Sequence, residues 1–379
     1  MQALFASAPV QWPTFGGNTA HTGFIPIDLN IEQVMDVNKL VWTRNLTTEL
    51  SYSTIFANTL LVTSTNSFTN VSKLFVLNAL TGYMIHTINL TAADSNEPAI
   101  GRYEYMAYVQ TIGTVRGIYL QAINLITGDI QWTAVADTQG SKYPYGTTPG
   151  SKYIYMPGGV YNEELYAVDP YNGSIIYRAQ VFPRTFACDW WTPTVYNKRI
   201  FIHSQPGQGT LGGFGEINPD TGPELWSIVL NNTWDGYSTY WEPVIMNDVA
   251  LVSTRQESFS LQFHGLHVPP IVKGSFQDYT PSTDGVSAYF TCKDGIHQVL
   301  IRSGKLQRLF ACKNCAGQPI VTNHHLIISS NGNGTIIFNK ESGQISMQVE
   351  ETGNLAVHPQ AKILYIINSD TGMVVAYAI

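Results

Sequence analysis

The sequence predicts an all-β fold: an eight-bladed β-propeller of four-stranded antiparallel blades. Three observations carry the prediction. A turn motif recurs at intervals of roughly 40–50 residues, the period of a four-stranded propeller blade. A second, tighter hairpin lies between successive motifs. An apolar N-terminal strand supplies the outer strand that the C-terminal repeat lacks.

The turn motif is clearest in four segments: Leu77-Asn78-Ala79-Leu80-Thr81-Gly82, Ile123-Asn124-Leu125-Ile126-Thr127-Gly128, Val168-Asp169-Pro170-Tyr171-Asn172-Gly173 and Ile217-Asn218-Pro219-Asp220-Thr221-Gly222. Three of the four carry an aromatic four residues beyond the glycine: Trp132, Tyr177 and Trp226. Weaker copies end at Gly304 and Gly343, and a degenerate one lies near Gly265. An Asn or Asp side chain captures backbone N–H groups two residues on and starts a turn. Glycine ends it in the left-handed region at no steric cost. The motif therefore joins the third and fourth strands of a blade.

The first two strands of each blade are read from short alternating runs broken by a tight turn. Thr54–Ala57 with Leu60–Thr63 and Pro319–Val321 with His325–Ile328 are examples. Eight such inner hairpins are expected, near residues 51–65, 99–112, 146–158, 190–205, 241–255, 277–292, 317–332 and 353–369. The last unit ends at Ile379 on a third strand. The stretch at about residues 39–45, with Trp42 in the place of the other fourth-strand aromatics, is expected to close the ring in that blade. The domain division is then an N-terminal arm and leader over 1–38 and one propeller over 39–379.

Composition narrows the function. Only 12% of the 379 residues are charged, about half the usual share, while 44% are hydrophobic and 12% aromatic. That excludes disorder over most of the chain. The net charge of -7 and the lack of a basic cluster argue against nucleic acid as a partner. No apolar run reaches the length of a membrane-spanning helix. Polarity from Asn, Thr, Ser and Tyr rather than Lys and Glu points to an extracellular or cell-surface protein, with a periplasmic one as the alternative.

The leader Trp12-Pro13-Thr14-Phe15-Gly16-Gly17-Asn18-Thr19-Ala20-His21-Thr22-Gly23-Phe24 resembles the segment that opens quinoprotein-like propellers, those of the PQQ-like repeat superfamily. The repeat Ala122-x-Asn124-x-x-Thr127-Gly128-x-x-x-Trp132 is similar to the tryptophan-docking motif of that superfamily. The resemblance covers nearly the whole chain and is strongest to the non-catalytic eight-bladed members. It implies that Trp42, Trp132 and Trp226 dock neighbouring blades. The superfamily also holds alcohol and glucose dehydrogenases that use pyrroloquinoline quinone and calcium. This chain has no vicinal Cys-Cys pair and no match to their calcium ligands or catalytic Asp. No catalytic, cofactor-binding or metal residue is assigned, and no cofactor is expected.

Several side chains are candidates for recognition. Aromatics gather ahead of three inner strands: Tyr143 and Tyr145; Trp190 and Trp191; and Trp234, Tyr237, Tyr240 and Trp241. They are read either as a stacking surface for a sugar ring or a protein partner, or as interblade filling. The cysteines are Cys188, Cys292, Cys312 and Cys315. One or two disulfides are expected, with Cys292–Cys312 one pairing and the connectivity open. Cys312-x-x-Cys315 lacks the second pair a zinc knuckle needs. The Gly-rich run 207–213 follows a strand but precedes no helix, so it is not a phosphate loop. Six N-glycosylation sequons occur, at Asn45, Asn70, Asn89, Asn172, Asn231 and Asn333. All but Asn172 are expected on one face.

These features predict a non-catalytic extracellular propeller acting as a structural or protein-interaction module. Self-assembly through the N-terminal arm and the glycan-free face is part of that expectation. A carbohydrate-binding propeller is the alternative, and a quinone-dependent oxidoreductase a third.

Overall fold

The computed structural model describes residues 17–29, 31, 39–46, 49–66, 71–92, 94–95, 99–100, 105–113, 117–137, 146–158, 164–180, 192–204, 212–230, 242–253, 257–262, 266–267, 272–273 and 279–379. Among these, the strands fall into eight antiparallel sheets, each joined to the next, with the first beside the last. Seven sheets are built from consecutive strands. Blade 1 runs Leu50–Phe56, Thr59–Asn66, Val71–Asn78 and Met84–Asn89. Blades 3, 4, 6 and 7 begin at Thr148–Pro149, Thr194–Tyr196, Ser282–Thr283 and Cys315–Val321, and each has four strands. The composite sheet pairs Asn354–His358, Ile363–Asn368 and Met373–Ala378 with the N-terminal strand Leu40–Asn45. Trp42 sits opposite Ala376 there, after a register shift.

The uniform blade read from the sequence is corrected. Two sheets have five strands rather than four. In blade 2 the inner position is split between Asp94–Ser95 and Ala99–Ile100, both pairing Met106–Ile112. In blade 5 the outer position is split between Leu266–His267 and Val272–Lys273, both pairing Glu257–Gln262. The physical reason is visible in the turn chemistry. Blade 5 is where the sequence motif is degenerate, with Leu261 four residues before Gly265 in the place of the turn-starting Asn or Asp. The closing strand, Leu40–Asn45, lies where the sequence places it, at about residues 39–45.

The turns behave as their chemistry dictates. Asn78 Oδ1 accepts from the Leu80 and Thr81 amides, each at 3.0 Å, and the Gly82 amide donates to Asn78 O at 2.8 Å. Asn124, Asp169, Asn218 and Asn339 repeat the arrangement. The same motif recurs at Asn368-Ser369-Asp370-Thr371-Gly372 between the second and third strands of the last blade, at the opposite end of the strands. Second and third strands are buried through most of their length and supply the core between blades, as in Leu60–Val62, Leu74–Leu77 and Leu364–Ile367.

Candidate functional site

The leader is part of the ring. Backbone carbonyls of Thr19, Ala20, Thr22 and Gly23 accept from the amides of Val195, Ile245, Thr283 and Val321 at 2.7–3.0 Å. Those four amides belong to the inner strands of blades 4, 5, 6 and 7 in turn. Ile25 then donates back to Val321 O at 2.8 Å, and Phe24 forms a parallel bridge with Val321. His21 is fully buried, with Nε2 3.3 Å from Pro193 O. An inner strand has an unpaired edge toward the axis, and the leader satisfies that edge on four blades at once.

The inner strands of blades 3 to 7 carry, within them or just before them, a polar–Pro pair that sequence reasoning passed over: Thr148-Pro149, Thr192-Pro193, Glu242-Pro243, Thr280-Pro281 and Gln318-Pro319. Proline lacks an N–H and suits a strand edge that has no partner there. The proline carbonyls instead tie blade to blade. Thr194 Oγ1 donates to Pro243 O at 2.6 Å, the Ser282 hydroxyl donates to Pro319 O, and Gln318 Nε2 donates to Pro281 O at 2.9 Å and to His21 O at 2.8 Å. The Glu242 carboxyl is buried and accepts from the Thr280 hydroxyl. Burial raises its pKa above the ordinary glutamate value, against the smaller lowering effects of Thr280, its own backbone and Thr192. The recurrence of Thr/Glu/Gln before Pro was the signal available in the sequence.

A cleft of about 280 Å³ lies where blades 6 and 7, the composite last blade and blade 1 meet, on the face of the fourth-to-first connections. Tyr52, Tyr279, Gln318, Asn331, Asn354 and Asp370 line it. Its lining mixes polar side chains with two tyrosines.

The expected docking residues are placed as follows. Trp42 Nε1 donates to Ala79 O at 2.9 Å, and Trp132 Nε1 donates to Pro170 O at 3.1 Å, each on the turn of the next blade. Trp226 differs: its Nε1 donates to Glu216 in its own blade at 2.7 Å. Tyr177 donates to Pro219 O at 3.1 Å, His86 Nε2 lies 3.1 Å from Ile126 O, and Arg308 donates to Glu341 O at 2.6 Å. His86 and Arg308 hold the same position, four residues past the turn glycine, as the aromatics. Position, more than residue type, carried the docking signal.

Among the described residues one disulfide forms, within the expected number, but the suggested Cys292–Cys312 pairing is corrected. Cys312 pairs with Cys315 across the connection from blade 6 to blade 7, with Cα atoms 5.8 Å apart. Cys292 packs in the opposite interface of blade 6, among Val244, Leu251 and Phe290, whereas Cys312 and Cys315 pack with Val321 and Leu326 of blade 7. The sheet itself therefore separates Cys292 from Cys312. Burial pushes the Cys292 thiol up to about 12. Cys188, the aromatics Tyr143, Tyr145, Trp190, Trp191, Trp234, Tyr237, Tyr240 and Trp241, Asn70, Asn231 and residues 1–16 lie outside the described residues.

Among the sequons, Asn45, Asn89, Asn172 and Asn333 are exposed. Asn45 and Asn89 end fourth strands, and Asn333 lies in a second-to-third-strand turn, so the three share a face. Asn172 lies in the turn between third and fourth strands on the other face. Asn333 Nδ2 already donates to Lys313 O at 3.1 Å. No helix among the described residues is long and apolar enough to cross a membrane.

No protein-family profile and no curated protein sequence matches the chain. Solved structures do. BamB from Moraxella catarrhalis superposes with a TM-score of 0.65 at 13% identity, covering 90% of this chain and 99% of that one. The quinohemoprotein alcohol dehydrogenase from Comamonas testosteroni superposes with a TM-score of 0.72 at 12% identity, covering 99% and 81%. The computationally designed Ika8 protein gives 0.64 at 10%, covering 90% and 99%. At such identities the likeness is one of fold, and the fold shared with BamB and the quinohemoprotein dehydrogenases is the PQQ-like β-propeller.

Proposed function

We propose that the chain is a non-catalytic, extracellular or cell-surface propeller that serves as a rigid structural or protein-interaction module and assembles with partners or with further copies of itself. The observation that supports this reading is the character of the outer strands. Leu40, Val41, Val135, Ile175, Ile176, Leu225, Val229, Leu306, Leu309 and Ile345 are exposed on the fourth strands of six blades, with Val229 61% accessible. A fourth strand is also a sheet edge with unpaired backbone groups. Proteins that work alone guard such edges with charge, lysine above all. This rim does so sparingly, in a chain only 12% charged. An apolar, weakly charged rim suits a surface that is covered in use.

The test is the native mass of the full chain, with Val135→Lys, Leu225→Lys and Val229→Lys on separate outer strands. The expected result is an assembly that these variants disperse while the circular dichroism spectrum stays unchanged. A strict monomer indifferent to all three overturns self-assembly. Dye-linked alcohol oxidation after loading with pyrroloquinoline quinone and calcium would replace this reading with the oxidoreductase one.

Carbohydrate binding is the second reading, and the cleft between Tyr52, Tyr279 and Asp370 favours it. A silent glycan array would remove it.

A further inference from the structure

Cys292, Asp294 and His297 form a group of possible metal ligands that the proposed function does not use. Their ligand atoms all lie within 4.8 Å of one another. They sit on one hairpin of blade 6, between Ser287–Cys292 and Gly295–Leu300, where Cys292 pairs with Gly295 across a two-residue turn. In a strand, residues two apart share a face. His297 stands opposite Phe290, two residues before Cys292, so imidazole and thiol share a face. Gly295, at a φ of +143°, brings the hairpin close to the Phe310–Cys312 backbone, where an added Cβ would clash with Phe310 O. Asp294, in the turn, folds back so that its Oδ1 lies 2.8 Å from His297 Nε2. The hairpin is anchored from behind, where the Cys312 amide donates to Asp294 O at 3.4 Å next to the Cys312–Cys315 bridge.

We propose that Cys292 Sγ, Asp294 and His297 Nε2 bind one zinc-class divalent cation at this hairpin. The donor set decides the metal. One thiolate, one imidazole and one carboxylate match the mixed sulfur, nitrogen and oxygen preference of Zn²⁺ and disfavour Mg²⁺ or Ca²⁺. With bonds of about 2.0–2.3 Å, tetrahedral ligands stand roughly 3.3–3.8 Å apart. The present spacing reaches that range by side-chain rotations of about 1 Å, which the exposed Asp294 and half-buried His297 allow. Three protein ligands leave a fourth position for water.

The disulfide supports the assignment in one respect. With Cys312 and Cys315 bonded to each other, neither offers a thiolate here, so the oxidised protein presents Cys292 as the hairpin's sulfur ligand.

The experiment is Co²⁺ titration of the oxidised, full-length protein, followed by displacement with Zn²⁺. The expected result is one Co²⁺ per chain, with a thiolate-to-cobalt charge-transfer band that Zn²⁺ abolishes. Cys292→Ser should remove that band. His297→Ala, a change at a half-buried position, should weaken binding by roughly tenfold or more, the scale seen even for outer-shell losses. Circular dichroism of each variant separates ligand loss from unfolding. No saturable Co²⁺ uptake, a charge-transfer band that survives in Cys292→Ser, or unchanged affinity in a folded His297→Ala each overturns the proposal.

Discussion

Trp42 lies against Gly82, and the two come from different blades. The indole donates to Ala79 O at 2.9 Å, and Tyr365 donates to the same carbonyl at 2.9 Å. One turn of blade 1 thus receives a side chain from near each end of the chain and locks the ring. A Cβ at Gly82 would stand 2.7 Å from the indole, at a φ of +69°. Trp42→Ala should cost about 3–5 kcal/mol, the range for truncating a buried large aromatic. Gly82→Ala should also destabilise, through both the clash and the left-handed backbone. Gly332→Ala, at φ +87° with no atom near the added Cβ, should cost only the backbone strain, about 1 kcal/mol. Urea denaturation of the three variants gives the order.

Much of this was readable in the sequence because turn chemistry is local. An Asn or Asp, two intervening residues, then Thr or Asn and Gly is a complete instruction for a hairpin, and its spacing delivers the blades. The leader's role was not readable. Its bonds to Val195, Ile245, Thr283 and Val321 use backbone atoms, which leave no residue signature. His86 and Arg308 were passed over because the motif was read as aromatic, although their spacing from Gly82 and Gly304 was the same. Cys292 misled for a related reason: sequence distance from Cys312 does not say that the two face opposite sides of one sheet.

The Cys312–Cys315 bridge closes a very short loop, so its effect on the unfolded chain is small. Loop-closure entropy for about four residues corresponds to roughly 2 kcal/mol. The Cys312→Ser/Cys315→Ser double variant should therefore fold and lose about that much stability in guanidinium denaturation. A loss well beyond it would mean that the bridge also fixes the blade 6–7 connection in the native state.

Glu242 and the buried histidines tilt stability with pH in opposite senses. Burial raises the folded pKa of Glu242, so the folded state holds its proton more tightly than the unfolded one. Its contribution is complete below the unfolded value of 4.5 and is lost as pH rises through the raised folded value. Burial lowers the folded pKa of His325, where His324 adds to the effect, and of His358. Their contribution is present above 6.5 and is lost as pH falls from there through the depressed folded values. Glu242→Gln keeps a partner for Thr280 and removes the charge. It should be more stable than the parent at about pH 7–8, with the gap closing toward acid. Thermal unfolding across pH checks the sign, and a gap that widens toward acid would contradict the burial argument.

The leader makes the sharpest test of the architecture, because it leaves a residue-level trace. The amides of Val195, Ile245, Thr283 and Val321 are held by leader carbonyls rather than by a neighbouring strand. Deleting residues 1–31 exposes those four N–H groups along one continuous path over blades 4 to 7. Each blade retains its own ladder, so the second and third strands should keep their protection. Hydrogen exchange should then show these four amides losing protection together, while Leu61, Leu364 and their neighbours do not change. Thr19 Oγ1 also donates to Val195 O at 2.8 Å, so Thr19→Ala should loosen the blade 4 end selectively. A net hydrogen bond contributes about 0.5–1.5 kcal/mol, and the point variant should shift exchange at Val195 by about that amount. Uniform loss across all blades after the deletion would instead mean that the leader holds the whole ring closed, a larger role than its four-blade path implies.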